Sequence, residues 1–229
     1  MQDKIKTNFG ISINDDCLNV IKRMPSNYVD MVLTDPPYGI NYQSNGRKVK
    51  MRRILNDDCN FRFSVYHKLK RVMKQNSVAC FFCSWKNFAD DYNCLKEVFN
   101  IINVLIWYKG GGGIGNLNAL STDYEMCIIC EKGKTKIRGK RCGSVIRINK
   151  VPSEQMKHPT EKPIDLYRFM IRKWSDRKNI VFDCFAGSFV NAVACIEEDR
   201  KYICIEQDEE YFKQGTKRIE NKLLQIGKV

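Results

Sequence analysis

The chain has 229 residues, of which 43% are apolar, and a formal net charge of +13. This length suits one α/β domain with insertions or at most two small domains, and the apolar fraction excludes a wholly disordered chain. No apolar run approaches the roughly 20 residues of a membrane span, and the first ten residues contain no apolar secretion segment, so we expect an intracellular protein.

Short apolar runs alternate with segments of helix length along the chain. We predict strands at residues 11–14, 29–34, 77–83, 102–108, 124–131, 180–184 and 202–206. We predict helices at residues 16–23, 61–75, 86–99, 163–174, 189–199 and 209–226. This alternation is typical of a doubly wound α/β fold, with a mostly parallel seven-stranded sheet and helices on both faces. Ligands of such folds bind outside the carboxyl ends of the strands, where Asp35, Asp183 and Glu206 are expected.

The stretch LTDPPYGINY at residues 33–42 ends the second predicted strand abruptly, because proline cannot donate to a sheet ladder. It brings together a carboxylate from Asp35, a carbonyl of Pro36 held rigidly by Pro37, and the ring of Tyr38. These groups would follow the carboxyl end of a strand, where an open α/β sheet binds its ligands. The alternative is a plain Asp-Pro turn followed by a core tyrosine.

Residues 179–206 read as a strand, a turn containing Gly187, a helix and a second strand that ends in Glu206. An acidic residue about 20 positions after such a turn is typical of a site that binds ribose hydroxyls. The turn has one glycine rather than the three of a dinucleotide fingerprint, which favours a nucleoside cofactor without phosphates, such as S-adenosylmethionine. A βαβ unit without a ligand is the alternative.

Eleven cysteines include two CxxC pairs, Cys80 with Cys83 and Cys127 with Cys130. Both pairs lie in predicted strands, where residues i and i+3 point to opposite faces. Neither pair can then chelate one metal ion, and we interpret these cysteines as buried structural residues rather than zinc ligands.

Basic residues are concentrated in the segments 47–53 and 132–150, which indicates a polyanionic partner, most simply nucleic acid, with a solvated surface as the alternative. Residues 110–118, GGGGIGNLN, do not directly open an obvious helix as a phosphate-binding loop does, so we predict a hinge or lid there.

Five motifs occur in a characteristic order: NDDCLNVI at 14–21, DPPY at 35–38, HPTEKP at 158–163, DCFAGSF at 183–189 and YICIEQDEEYF at 202–212. In this order the chain resembles the amino-group DNA methyltransferases of the permuted, beta-type arrangement. The resemblance covers nearly the whole chain. It implies a single catalytic domain over residues 1–229, with the fold of the S-adenosylmethionine-dependent methyltransferases.

The resemblance implies roles for individual residues. The catalytic residues would be Asp35, Pro36, Pro37 and Tyr38. The S-adenosylmethionine pocket would be formed by Asp16, Cys17, Asp35, His158, Thr160, Lys162, Asp183, Phe185, Gly187, Ser188, Glu206 and Gln207. Double-stranded DNA would contact basic loops at about 40–60 and 132–157, through Arg47, Lys48, Lys50, Arg52, Arg53, Lys136, Arg138, Lys140 and Arg141.

One position departs from the family pattern. Phe189 stands where the family usually has the second glycine of its FxGxG turn, and Val190 stands where a threonine follows. We expect phenylalanine to be unable to replace glycine at a positive φ. The backbone would then be ordinary with the ring packed away, or cofactor binding would be weakened.

The expected reaction is transfer of a methyl group from S-adenosylmethionine to the N6 amine of a flipped adenine, because aspartate is the usual first residue of the motif in adenine enzymes. The alternatives are a cytosine-N4 enzyme of the same fold, an RNA or protein methyltransferase, and a degenerate module that binds DNA without methylating it. A C5-cytosine enzyme is disfavoured because no Pro-Cys dipeptide is present. We expect a cytoplasmic protein encoded by a bacterium or phage. A homodimer and a restriction, phage or regulatory role stay open, and no nuclease partner can be inferred from this chain.

Overall fold

The computed structural model describes residues 3–37, 59–111, 118–152 and 161–228, with the backbone alone for residues 59–62. The strands are β1 (Lys4–Thr7), β2 (Gly10–Asn14), β3 (Val29–Thr34), β4 (Met73–Cys83), β5 (Asn100–Tyr108), β6 (Tyr124–Lys132), β7 (Val145–Arg147), β8 (Ile180–Asp183) and β9 (Lys201–Glu206). The helices are α1 (Cys17–Arg23), α2 (Cys59–Val72), α3 (Phe88–Val98), α4 (Ile164–Trp174), α5 (Val190–Glu197) and α6 (Glu209–Gln225).

The nine strands of the described residues form one sheet in the order β1-β2-β9-β8-β3-β4-β6-β5-β7. The five strands from β2 to β4 in this order are parallel to one another, whereas β1 and β6 are antiparallel to their neighbours. Strand β5 is antiparallel to β6 and parallel to β7. The predicted α/β fold with a mostly parallel sheet is therefore confirmed.

The sheet contains the seven predicted strands and two more, β1 and β7, so the predicted number of strands was too low. Both additional strands lie at the edges of the sheet and are short, with sequences KIKT and VIR. Edge strands are often short and carry charged residues, which protects them from pairing with other chains. Such strands have no apolar run by which the sequence would reveal them.

Helices cover both faces of the sheet and enclose two cores. One core packs α4, α5 and α6 against the sheet and includes Leu166, Val190 and Phe212. The other packs α1, α2 and α3 against the opposite face and includes Val20 and Tyr66. The doubly wound arrangement follows, because each face of the sheet is apolar and must be buried against a helix layer.

The members of each CxxC pair separate between these two cores, as the strand periodicity predicts. Cys80 and Cys127 lie in the core beside α4, and Cys83 and Cys130 lie in the core beside α2. Within the described ranges, no cluster of three or more His, Cys, Asp or Glu residues is arranged to hold a metal ion.

Helix α2 ends three residues earlier than its predicted end, and β4 begins four residues before the predicted start at Ser77. Met73 already pairs with Val29, and the pairing then shifts before Val78 pairs with Met31. Asn76 has a φ of 59° within this irregular stretch. A bulge of this kind interrupts the alternation of side chains, which hid the start of the strand from the sequence pattern.

The carboxyl ends of the five parallel strands form one edge of the sheet, which we call the carboxyl edge. Strand β3 is buried at the centre of the sheet and ends at Thr34, immediately before Asp35 and the two prolines. No helix in the described part of the chain is long and apolar enough to span a membrane.

Candidate functional site

The candidate site lies at the carboxyl edge, where β3 and β8 end side by side. From β3 the chain continues through α2 to β4 on one side, and from β8 it continues through α5 to β9 on the other. Connections that diverge in this way leave a crevice between the two strand ends, which is the usual ligand site of an open α/β sheet. Asp35 follows β3 at this crevice, and Asp183 ends β8.

A buried hydrogen bond joins the ends of these two strands. The hydroxyl of Thr34 donates to Oδ1 of Asp183 over 2.7 Å, and the backbone N–H of Phe185 donates to the same oxygen over 3.1 Å. Asp183 is 1% exposed. Burial raises the pKa of Asp183 to about 7, although both hydrogen bonds act to lower it. Asp183 is therefore held in place by two hydrogen bonds, while burial favours its neutral form.

Glu206 ends β9, next to β8, and its carboxylate binds two backbone N–H groups. Oε2 accepts from Gly187 over 2.7 Å, and Oε1 accepts from Asp208 over 2.9 Å. Gly187 has a φ of 49°, which places it in the left-handed region where glycine is favoured. Burial raises the pKa of Glu206 to about 7. The turn after β8 is thus held against the end of β9 by a carboxylate that faces the crevice.

Phe189 does adopt a positive φ, which corrects the expectation that phenylalanine is unable to do so. Its φ is 57° and its ψ is 29°, and it directly precedes α5. The ring is fully buried and packs edge-on against Phe212 of α6, with 6.0 Å between ring centroids. The ring therefore points into the core beneath the turn, and the left-handed backbone typical of glycine is retained.

Lys162 lies between two carboxylates at the carboxyl edge. Its Nζ donates to Oδ2 of Asp35 and is 3.2 Å from Oε2 of Glu125, the second residue of β6. The ring of Phe82 lies beneath the ammonium, with its centroid 4.6 Å from Nζ. Lys109 approaches the other oxygen of Glu125 at 3.4 Å. The site thus contains a row of alternating charges that begins at Asp35.

The sequence profile of a family described as DNA methylase matches residues 29–217. The chain belongs to this DNA methylase family. The match covers most of the chain and includes β3, Asp35, Lys162, Asp183 and Glu206. The resemblance to the amino-group DNA methyltransferases is thereby confirmed.

Two relatives from Escherichia coli (strain K12) match this DNA methylase over most of their length. The putative methylase YubD is 29% identical over 212 residues, which cover 90% of this chain and 88% of YubD. The DNA adenine methyltransferase YhdJ is 28% identical over 243 residues, which cover 91% of this chain and 82% of YhdJ.

Solved structures share the fold. The M1.HpyAVI–SAM complex superposes with a TM-score of 0.72 at 24% identity, covering 90% of this chain and 97% of that one. The cytosine-N4-specific PvuII DNA methyltransferase superposes with a TM-score of 0.76 at 18% identity, covering 96% and 93%. At these identities the likeness establishes the architecture of the DNA methylase and not its target base.

The other predicted pocket residues of this DNA methylase are distributed around the same edge. Asp16 caps α1 by accepting from the backbone N–H groups of Leu18 at 2.8 Å and Asn19 at 3.3 Å. Cys17 is buried in the core beneath. The carbonyls of Ser188 and Gln207 accept from Arg218 and Asn14, respectively. Several predicted residues lie outside the described residues: Tyr38, Arg47, Lys48, Lys50, Arg52, Arg53, His158 and Thr160.

The basic segment that contains Lys136, Arg138, Lys140 and Arg141 begins at the opposite edge of the sheet. Strand β6 runs away from the carboxyl edge and ends at Lys132, so the chain enters this segment at the amino ends of the parallel strands. There Arg138 pairs with Asp176 at 2.9 Å, and the carbonyl of Lys140 accepts from Lys173 near the end of α4. The structure therefore does not bring these residues together with Asp35.

Three residues of the site in this DNA methylase were not predicted from the sequence. Thr34 links Asp35 to Asp183, Glu125 holds Lys162, and the side chain of Asn191 donates to the carbonyl of Leu33 over 2.7 Å. Asn191 is a buried polar residue in the apolar helix VNAVACIE. A polar residue in such a helix needs a hydrogen-bond partner, so the sequence alone could have indicated its role. No sequence pattern indicated the role of Glu125, because its partner Lys162 lies 37 positions away in the chain.

Proposed function

We propose that this DNA methylase is an adenine-N6 DNA methyltransferase that uses S-adenosylmethionine. The observation that carries the proposal is the convergence of Asp35, Asp183 and Glu206 on one crevice, with Thr34 joining the first two strand ends. Membership of the DNA methylase family supports methyl transfer to DNA. The choice of adenine is supported by the relative YhdJ, which is named a DNA adenine methyltransferase, and by the aspartate that begins the DPPY motif.

The residues at the crevice fit S-adenosylmethionine. Glu206 would accept hydrogen bonds from the ribose hydroxyls, since its carboxylate ends β9 beside the glycine turn and carries several acceptor lone pairs. Gly187 has no Cβ, so the backbone of the turn would approach the cofactor closely. Asp16 and Cys17 would lie near the adenine, and Asp183 and Phe185 near the methionine part. The cofactor, when bound, supplies a methyl group on a positively charged sulfur.

Asp35 would act on the amine that receives the methyl group. The lone pair of an exocyclic amine is delocalised into the base, which makes the nitrogen a poor nucleophile. Asp35 and the carbonyl of Pro36 would each accept a hydrogen bond from the amine, and these acceptors localise the lone pair on nitrogen. The amine nitrogen would then take the methyl group from the sulfonium, which would leave as a neutral thioether, and one amine proton would pass to solvent. Fixed acceptors of this kind stabilise the positive charge that develops on nitrogen.

The target base has to leave the duplex to reach Asp35, at a cost of a few kcal/mol. Tyr38 would stack on the extruded base, and base–aromatic stacking contributes about 1–3 kcal/mol. The basic loop after DPPY, with Arg47, Arg52 and Arg53, would neutralise DNA phosphates close to the site.

The degenerate DNA-binding module was suggested by Phe189 alone. The ring of Phe189 packs against Phe212 inside the core, and the backbone has the left-handed conformation for which glycine is usually needed. This packing favours an active enzyme over a degenerate one.

The test is a transfer assay. Duplex DNA is incubated with the protein and tritiated S-adenosylmethionine and is then digested to nucleosides. We expect the label in N6-methyladenine. Label in N4-methylcytosine would identify the protein as a cytosine-N4 methyltransferase. Measurable DNA binding without any label would support the degenerate module.

A further inference from the structure

Glu125 occupies a position at the carboxyl edge that requires an explanation. It lies near the start of β6, opposite Trp107 of β5, and its side chain is 24% exposed. A carboxylate removed from water to this degree is costly unless a positive charge or hydrogen bonds stabilise it. Lys162 and Lys109 provide that charge, at 3.2 Å and 3.4 Å.

Lys162 is the more deeply buried of the two lysines, with a side chain that is 2% exposed. Its ammonium is shared between Asp35, which follows β3, and Glu125 on β6, while Phe82 of the intervening strand β4 lies beneath it. Lys162 therefore bridges three strands, and a carboxylate on each side determines its position.

Charge is retained along this row of groups. Burial acts to raise the pKa of Glu125, but Lys162 and Lys109 outweigh it, and the pKa lies below its ordinary value. Burial likewise acts to lower the pKa of Lys162, but Asp35 and Glu125 outweigh it, and the pKa lies above its ordinary value. Both groups are thus charged at neutral pH, and the ion pairs persist there.

We propose that Glu125 is a positioning residue that acts through Lys162 to hold the carboxylate of Asp35 in the orientation needed to accept a hydrogen bond from the target amine. This inference rests on the function proposed above. Lys162 already donates to Asp35 and shares its charge with Glu125. If the charge of Glu125 is removed, the ammonium pairs with Asp35 alone and competes more strongly with the amine for that carboxylate. A displacement of about 1 Å at such an acceptor costs up to about 100-fold in rate.

The role differs from that of a cofactor ligand. The family resemblance places Lys162 near the methionine carboxylate, and a pair formed by Glu125 and Lys162 that served the cofactor would affect cofactor affinity. A pair that serves Asp35 affects the rate of transfer when the cofactor is saturating. Measurements of kcat and of the dissociation constant of S-adenosylmethionine separate these two roles.

The test compares Glu125→Gln with a control at the other end of the same strand. Glu131→Gln makes the same change of charge, but Glu131 is bonded to Asn100 and Thr135 away from the carboxyl edge. We expect Glu125→Gln to lower kcat by about 10- to 100-fold with S-adenosylmethionine affinity within about twofold of wild type. Glu131→Gln should retain kcat, and Glu125→Asp, which retains the charge, should recover part of the loss.

Wild-type kcat in Glu125→Gln would overturn the inference, as would weakened cofactor affinity with kcat unchanged at saturation. If Glu125→Gln does not fold, Glu125→Asp is measured in its place. A kcat below that of wild type supports the inference, and a wild-type kcat overturns it because the position of the carboxylate would then be unimportant. A wild-type protein that transfers no label to DNA would instead overturn the proposed function and, with it, this inference.

Discussion

The ring of Phe189 occupies the space that a side chain on Gly215 would need. A Cβ added to Gly215 would lie 2.0 Å from Cδ2 of Phe189, and the other ring atoms Cγ and Cε2 would follow at 2.6 Å and 2.7 Å. Gly215 lies within α6, where glycine is otherwise unfavourable. The absence of a side chain at Gly215 of α6 thus leaves room for the ring of Phe189 in the turn before α5.

Gly215→Ala is expected to destabilise the protein because the new methyl group overlaps a ring that is closely packed. Overpacking of this kind costs about 1–3 kcal/mol, while the higher helix propensity of alanine returns about 1 kcal/mol. Urea denaturation should show a lower free energy of unfolding.

Gly215→Ala should change the free energy of unfolding in the opposite direction once the ring of Phe189 is removed. In a Phe189→Ala background, Gly215→Ala should raise the free energy of unfolding by up to about 1 kcal/mol, since only the helix propensity remains. Equal effects in the two backgrounds would contradict the proposed pairing of Phe189 with Gly215.

Phe189→Gly is expected to lower stability without weakening the cofactor site. Loss of a buried ring costs about 3–5 kcal/mol, and relief of the left-handed backbone returns about 1–2 kcal/mol. The free energy of unfolding should therefore fall by about 1–4 kcal/mol. Calorimetric binding of S-adenosylmethionine at low temperature, where the variant is folded, should give the affinity of wild type. A large loss of affinity would show that the ring is part of the pocket.

The sequence predicted the convergence of Asp35, Asp183 and Glu206 because the carboxyl ends of parallel strands meet at one edge. It did not predict the pair of Glu125 and Lys162, since that contact depends on where the antiparallel strand β6 enters the sheet. The sequence also did not reveal the direction of β6, and therefore not that the segment from 132 onward begins at the amino ends of the parallel strands. The conformation of Phe189 was missed because the residue that accommodates it lies 26 positions away, on another helix.

Asp35→Ala is expected to lower kcat by two or more orders of magnitude, because removing one preorganised acceptor from a developing charge costs about 100- to 1,000-fold. The fold should remain intact, since Lys162 retains Glu125 as a partner. Circular dichroism and thermal denaturation serve as controls for folding. Turnover close to wild type would refute a catalytic role for Asp35.

The stability of the ligand-free protein should decrease as pH rises from about 4 to about 7. The pKa of Glu206 is raised from 4.5 to about 7 and that of Asp183 from 3.8 to about 7, with burial as the main cause. The folded state therefore binds these protons more tightly than the unfolded state, and the resulting stability is lost as pH increases toward about 7. Denaturation at several pH values between about 5 and 8 measures this slope, and Glu206→Gln should reduce it. If the slope of the free energy of unfolding against pH is unchanged in that variant, Glu206 does not cause the pH dependence.

The two basic segments should contribute differently to DNA binding. The double variant Arg52→Ala/Arg53→Ala should reduce the slope of log affinity against log salt by about 2, because two phosphate contacts are lost. The matched variant Lys136→Ala/Lys140→Ala removes the same charge from the segment that begins at the opposite edge of the sheet, and should leave the slope nearly unchanged. A larger effect of the second variant would place the DNA on that side.

The hydrogen bond between Thr34 and Asp183 joins residues that are 149 positions apart in the chain. During synthesis, β3 leaves the ribosome long before β8 and β9 exist, so one side of this central apolar strand has no native neighbour for most of translation. Non-local pairing of this kind slows folding and exposes apolar surface. The nascent protein should therefore depend on chaperones late in synthesis, and chains that terminate before β9 should be inactive and prone to aggregation.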